Sequence, residues 1–292
     1  MIVTIPSAVR SFLQLIKPTD PPRPATDWLA EIYRNLAAPG QGDDAGEWAE
    51  RKEKPFLTAL GREHGALSHM GKFAPFEFNS SSRYILQGCA FVEPLDAPDV
   101  KEAKNRRSRF SAYAGLLRGL SPLEFEALCA GILQLLGVAE PRLTPRSGDD
   151  GLDFYGRLHL EAHVFAEDVY PTVQKQLRVW MIGQAKHYVT TKIATPAIRE
   201  LVGSVDLAKA RAYSGGDAQY ADLEIRACDP VFYLFFTTAR MSANVWSLVA
   251  RSEVVGMDGE MLAAFLADRE VGVTGGNLDD SKFREWLSRY AS

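Results

Sequence analysis

Asp153, Gln184 and Lys186 are the residues whose types and spacing could do chemistry. Asp153 lies in Ser147-Gly148-Asp149-Asp150-Gly151-Leu152-Asp153-Phe154, an acidic, glycine-bearing turn that feeds a short apolar run. Gln184 and Lys186 end a second apolar run, Val179-Trp180-Met181-Ile182-Gly183-Gln184-Ala185-Lys186-His187-Tyr188. Residues two apart on a strand share a face, so Gln184 and Lys186 project together while Ala185 faces the other way. In a hairpin, Asp153 on the neighbouring strand can meet them. Carboxylate and amide oxygens suit a hard cation such as Mg²⁺ or Mn²⁺. Such a site can polarise a phosphodiester and lower the pKa of a bound water. An ammonium at Lys186 would orient that water or offset charge in the transition state. Glu126, reaching across from a helix, would complete the acidic shell, directly or through water. By itself, an aspartate followed at a distance by Gln-x-Lys is a weak pattern, and the order of elements around it decides its weight.

Those elements read clearly in the second half of the chain. Ser121-Pro122-Leu123-Glu124 is a helix start: serine caps, proline takes the first helical position and glutamate closes a capping box. The helix carries Phe125, Leu128, Cys129, Ile132, Leu133 and Leu136 on a wide apolar face and stops at Gly137. Val138–Thr144, Leu152–Leu160 and Gln176–His187 read as strands, the last apolar enough to be central. Between them, Glu161–Lys175 reads as an extended hairpin loop. The spacing predicts a helix over Thr195–Ala212, a buried strand over Pro230–Thr238 and a helix capped by Ser242. A strand at Val254–Met257, a helix through Met261–Leu266 and a short tail helix over Asp279–Tyr290 complete the pattern.

The first hundred residues carry less information. Helical spacing appears at Ala8–Ile16, from Thr26 through Leu36, and over Ala45–Leu60, where Pro55 threatens a kink. From Gly61 to Pro98 the composition shifts to loops and short strands. The aromatic cluster near Lys72 and Arg83 suits either a small core or base stacking. Pro98–Arg109 is charged and reads as the join between halves; its Lys104–Arg109 cations suit either phosphate contacts or a solvated helix face.

The motifs of the second half resemble the Mrr-like restriction endonuclease family of the PD-(D/E)xK nuclease superfamily. The resemblance rests on Phe125-Glu126, Leu135-Leu136-Gly137, the Ser147–Asp153 turn, Gly183–Tyr188, Ile198–Gly203, Phe235–Thr238, Ser242-Ala243 and Met257-Asp258-Gly259. It covers about Leu120 to Leu266, in a branch where glutamine replaces the acidic residue before x-Lys. It implies an α/β fold: a restriction-endonuclease-like mixed sheet flanked by helices, behind a mainly helical N-terminal region. The expected organisation is an accessory region at 1–100, a nuclease domain at 101–270 and a helical tail at 271–292. The resemblance implies catalytic roles for Asp153, Gln184, Lys186 and Glu126, with Asp153, Gln184 and Glu126 toward Mg²⁺ or Mn²⁺. It implies DNA as substrate, restriction or antiviral defence as context, and a homodimer or defence-complex partner. Two departures stand out: Asp150 replaces a small residue, and Glu161–Lys175 lengthens the interval from Asp153 to Gln184.

The bulk properties bound this reading. The 292 residues are 46% hydrophobic and 24% charged, ordinary for a globular protein of two domains. A net charge of −4 argues mildly against a nucleic-acid binder. A binding or regulatory subunit without cleavage therefore stays as an alternative, and so does a nuclease for RNA or branched DNA, which the metal chemistry does not distinguish from a DNA endonuclease. Cys89, Cys129 and Cys228 form no CxxC pair, and Cys129 reads as a small buried hydrophobe. No signal peptide or membrane-spanning stretch is read, so the expected location is cytoplasmic, with no membrane partner. His159 and His163 around Glu161 do not make HExxH, Gly215-Gly216 is no phosphate loop, and His187 should face away from Lys186.

Overall fold

The computed structural model describes residues 3–37, 44–144, 151–158, 178–188, 193–211 and 222–291. Ser147–Asp150, His159, the Glu161–Lys175 insertion and Gly215-Gly216 lie outside the described residues. The chain divides into two compact units, one of Met1–Tyr113 with Ala263–Glu270, the other of Ala114–Leu262 with Val271–Ser292. No helix among the described residues is long and apolar enough to cross a membrane.

The first unit is built on helices α1 (Ile5–Leu15), α2 (Ala25–Leu36) and α3 (Ala45–His69). A small antiparallel sheet of β1 (Arg23–Pro24), β3 (Ser82–Gly88) and β2 (Phe76–Asn79), in that order, packs with them. Phe12 sits at the centre, its ring edge-on to Trp28, Phe56 and Phe76. Two expectations change here. Helix α3 runs through Pro55 and nine residues past Leu60, to His69. Its last turns carry no fully buried residue, so they show no apolar period to read, although His64 packs edge-on against Phe76 and Phe78. Of the two readings of the aromatic cluster, the core prevails: Phe76 is buried with Phe78 packed against it, and Phe73 stacks on Phe110.

Of the Lys104–Arg109 cations, Lys104 departs from a solvated helix face, while Arg106 and Arg107 stay partly exposed. The cations lie on and just after α4 (Pro98–Arg107), and carboxylates take them up. Lys104 is buried and meets Asp96 at 3.0 Å and Glu77 at 3.4 Å. Arg106 pairs with Glu102, Arg107 with Asp268 and Arg109 with Glu270. A lysine stem on a helix can reach inward when acids wait there, which helix spacing alone does not reveal. Burial alone would raise the Asp96 carboxyl; the Glu93 N–H and the Lys104 ammonium that it accepts outweigh burial and hold it below the usual carboxylate range.

The second unit contains helix α5, Phe110–Arg118 from its fifth residue on, then α6 (Pro122–Leu135) and strands β4 (Arg142–Leu143), β5 (Phe154–Leu158) and β6 (Val179–Lys186). There follow α7 (Thr195–Lys209), β7 (Val231–Thr237), α8 (Ala243–Ser252), β8 (Val255–Met257) and the start of α9 (Gly259–Asp268). A two-residue-strand hairpin, β9 (Val273–Thr274) and β10 (Asn277–Leu278), leads into α10 (Asp280–Ser288). The sheet order is β4-β5-β6-β7-β8, with β6 central, antiparallel to β5 and parallel to β7. This is the mixed α/β sheet expected from the sequence.

The capping box at Ser121 forms: the Glu124 N–H donates to the Ser121 hydroxyl at 3.3 Å, and the Ser121 N–H donates to the Glu124 carboxylate at 2.8 Å. One sheet face carries Tyr155, Trp180, Ile182 and Phe235 and packs against Ile198, Leu201 and Val205 of α7 and Val245, Trp246 and Val249 of α8. The opposite face meets α6, where Phe125 lies edge-on to His187 at 5.7 Å. The first strand expected at Val138–Thr144 shrinks to β4 and a single bridge from Val138 to Leu158.

Replacing Lys104 with alanine would leave Asp96 and Glu77 without the ammonium that they share. Because Glu77 is partly exposed, a loss of about 2–3 kcal/mol is expected, below the cost of breaking a fully buried pair. Urea unfolding at pH 7 would measure it. The Asp96 share is present above the unfolded carboxyl pKa and lost as pH falls through the folded one, so the difference from wild type should shrink below about pH 4.

Candidate active site

The site is set by the register of β5 on β6. Phe154 pairs with Gly183 and Tyr155 with Ile182. One step further, the Asp153 N–H donates to the Gly183 carbonyl at 3.0 Å. Asp153 thus stands at the position facing Gln184. Its Oδ2 accepts the Ala185 N–H at 2.6 Å, where β5 has not yet begun and no ladder partner exists. Such a charge-assisted bond fixes the carboxylate at the end of the hairpin.

That register depends on Gly183. A Cβ there would lie 2.2 Å from the Phe154 ring and 2.8 Å from the Leu234 carbonyl. Its absence lets Phe154 stack on Phe236 with ring centroids 5.3 Å apart. Gly151, which precedes Asp153 by two residues, has φ +72°, a conformation glycine adopts without steric cost.

Gln184 and Lys186 share the α7 face. Gln184 is 1% exposed, and its Nε2 donates to Glu200 Oε1 at 3.3 Å. The same Glu200 oxygen pairs with Lys186 Nζ at 3.6 Å. The Gln184 Oε1 is buried and has no hydrogen-bond partner among the described residues. His187 points to the α6 face instead, against Phe125.

Glu126 lies on α6, on the other side of the sheet from Glu200. One turn later lies Cys129, wholly buried. Burial pushes its thiol well above the usual range, and the charges of Asp153 and Glu126 push the same way. Both carboxylates therefore lie in the neighbourhood of one sulfur. No group of three or more His, Cys, Asp or Glu side chains arranged for a metal occurs among the described residues. Sequence reasoning gave Glu200 no role. It sits in the Ile198–Gly203 stretch beside the buried Leu201, and the only signal for it was an acidic residue at the edge of an apolar helix face.

Comparison with known proteins follows the same stretch. Residues 117–214 match the Mrr-type restriction endonuclease family. The match spans about a third of the chain and includes Glu126, Asp153, Gln184, Lys186 and Glu200. It is the family expected from the motifs. No match was found among curated proteins. Among solved structures, the chain is similar to MspJI restriction endonuclease in complex with a 27-mer oligonucleotide, at 17% identity and TM-score 0.43, over 69% of this chain and 40% of that one. It is similar to the DNA modification-dependent restriction endonuclease AspBHI at 15% identity and TM-score 0.38, over 73% of this chain and 46% of that one. Restriction endonuclease FokI bound to DNA is matched at 11% identity and TM-score 0.32, over 97% of this chain and 46% of that one. The chain spans less than half the length of each of these three.

Within the matched segment, the Gly183 contact has a measurable consequence. Gly183→Ala should destabilise the protein by about 1–3 kcal/mol through overpacking against Phe154. Gly203→Ala, on an exposed helical position with nothing within 4 Å, should be neutral or stabilise by up to about 1 kcal/mol. Thermal unfolding of the two variants reads the contrast.

Proposed function

We propose that the protein is a metal-dependent DNA endonuclease that hydrolyses phosphodiester bonds, in restriction or antiphage defence. The observation that carries this is the convergence of Asp153, Gln184 and Lys186 at one end of the β5–β6 pair, inside the segment that matches a restriction endonuclease family.

The residues fit a hard divalent cation, Mg²⁺ or Mn²⁺. A buried amide oxygen without a partner is costly unless something binds it, and oxygen donors are what such cations take. Asp153 and Gln184 would hold the ion, with Glu126 as a further acidic group acting directly or through water. When bound, the ion supplies Lewis acidity at the scissile phosphate and lowers the pKa of water. Lys186, held by Glu200 at the site's edge, orients the attacking water and offsets the charge that grows on the phosphoryl oxygens. The water oxygen bonds to phosphorus as the bond to the 3′ oxygen breaks. That oxygen leaves with a proton, and a 5′-phosphate remains. Two copies acting together would cut both strands, and a cytoplasmic location accords with the substrate.

Purified protein should nick or cut plasmid DNA with Mg²⁺ or Mn²⁺ and not in EDTA. Asp153→Ala and Lys186→Ala should each lower the rate by at least about a thousandfold, losses of about 4 kcal/mol in barrier. Undiminished cleavage by both variants would remove the assignment. Duplex, junction and RNA substrates run in parallel identify the preferred nucleic acid.

A further inference from the structure

The feature the family match leaves unexplained is why an amide, not a carboxylate, precedes x-Lys here, and the geometry points to Glu200 as the reason. We propose that Glu200 is a positioning residue that fixes the Gln184 amide, Nε2 toward itself and Oε1 toward the metal position. The proposal rests on the nuclease reading for the identity of the site.

Glu200 Oε1 accepts the Gln184 Nε2–H at 3.3 Å, in a pocket where Gln184 is almost wholly buried. The reverse rotamer would set the amide oxygen against a carboxylate oxygen at that separation, so charge selects the orientation. A glutamate at 184 would place two carboxylates there, with the repulsion that like charges carry. Gly151 lies beside the Nε2 edge: a Cβ added there would come within 3.6 Å of Nε2 and 2.5 Å of Ser204 Oγ, so only glycine fits between them. The amide's planar geometry then turns Oε1 the other way, where it is buried and unpartnered among the described residues. The same Glu200 oxygen holds Lys186 Nζ at 3.6 Å, so one carboxylate sets the donor and the ammonium together. Outer partners of this kind tune metal affinity by roughly 10- to 100-fold.

Glu200 is half exposed, so its removal should leave the fold intact, since exposed ion pairs contribute little to stability. The test compares wild type, Glu200→Ala and Glu200→Gln. Mn²⁺ alone is titrated calorimetrically without DNA, plasmid nicking is scored separately, and thermal unfolding confirms the fold. Glu200→Ala should weaken Mn²⁺ binding tenfold or more. Glu200→Gln keeps an acceptor oxygen for Nε2 and should stay within about threefold of wild type. Unchanged Mn²⁺ affinity in Glu200→Ala overturns the proposal. Equal loss in both variants also overturns it, because charge rather than the amide contact would then be the cause. A wild type that binds Mn²⁺ with this pattern yet never nicks DNA or RNA retires the nuclease reading and upholds the role of Glu200.

Discussion

The hydrogen bond from the Ala185 N–H to Asp153 Oδ2 is the constraint on which the site depends. It extends the β5–β6 ladder one step beyond the last paired strand residue and uses a side chain where a backbone carbonyl would otherwise serve. Strand pairing has a period of two, so a slip of one residue would turn Gln184 and Lys186 to the α6 side. Gly183 guards against that slip, because the register that buries Phe154 over it admits no side chain at that position. The packing of Phe154 on Phe236 and the placing of Asp153 are therefore one decision of the fold.

Electrostatics at the site follow from which groups approach from which face. Asp153 and Glu126 crowd toward Cys129, whose thiol is held protonated by burial and by those two charges. Glu200 arrives from α7 and faces the only basic group of the quartet, Lys186, together with the neutral amide of Gln184. A fourth carboxylate at 184 would leave Lys186 alone to balance the charge. An amide there keeps an oxygen donor without that repulsion, and the α7 carboxylate keeps a negative charge nearby.

Much of the second unit was legible in the sequence because its signals are local. The Ser121 capping box, the apolar run of β6 and the period-two placing of Gln184 and Lys186 each depend on neighbours a few residues away. What stayed hidden depends on contacts distant in sequence. Lys104 looked solvated until Asp96 and Glu77 were seen around it, and Arg107 and Arg109 find Asp268 and Glu270 more than a hundred residues on. The later turns of α3 bury no residue fully and so lack the periodicity that marks a helix. Strands β9 and β10 are two residues each, too short for any period. Glu200 fell in the same gap: its helix was readable, but its role appears only once α7 lies over the end of β6.

We propose that Asp153 and Gln184 together form a hard-cation site. Crystals grown with Mn²⁺ and measured at the manganese absorption edge test it most directly. The expected result is an anomalous peak bonded to the Asp153 carboxylate and to Gln184 Oε1, with the Gln184 Nε2 still on Glu200. A peak that excludes Gln184, or the absence of any peak at Asp153 at millimolar Mn²⁺, would contradict it.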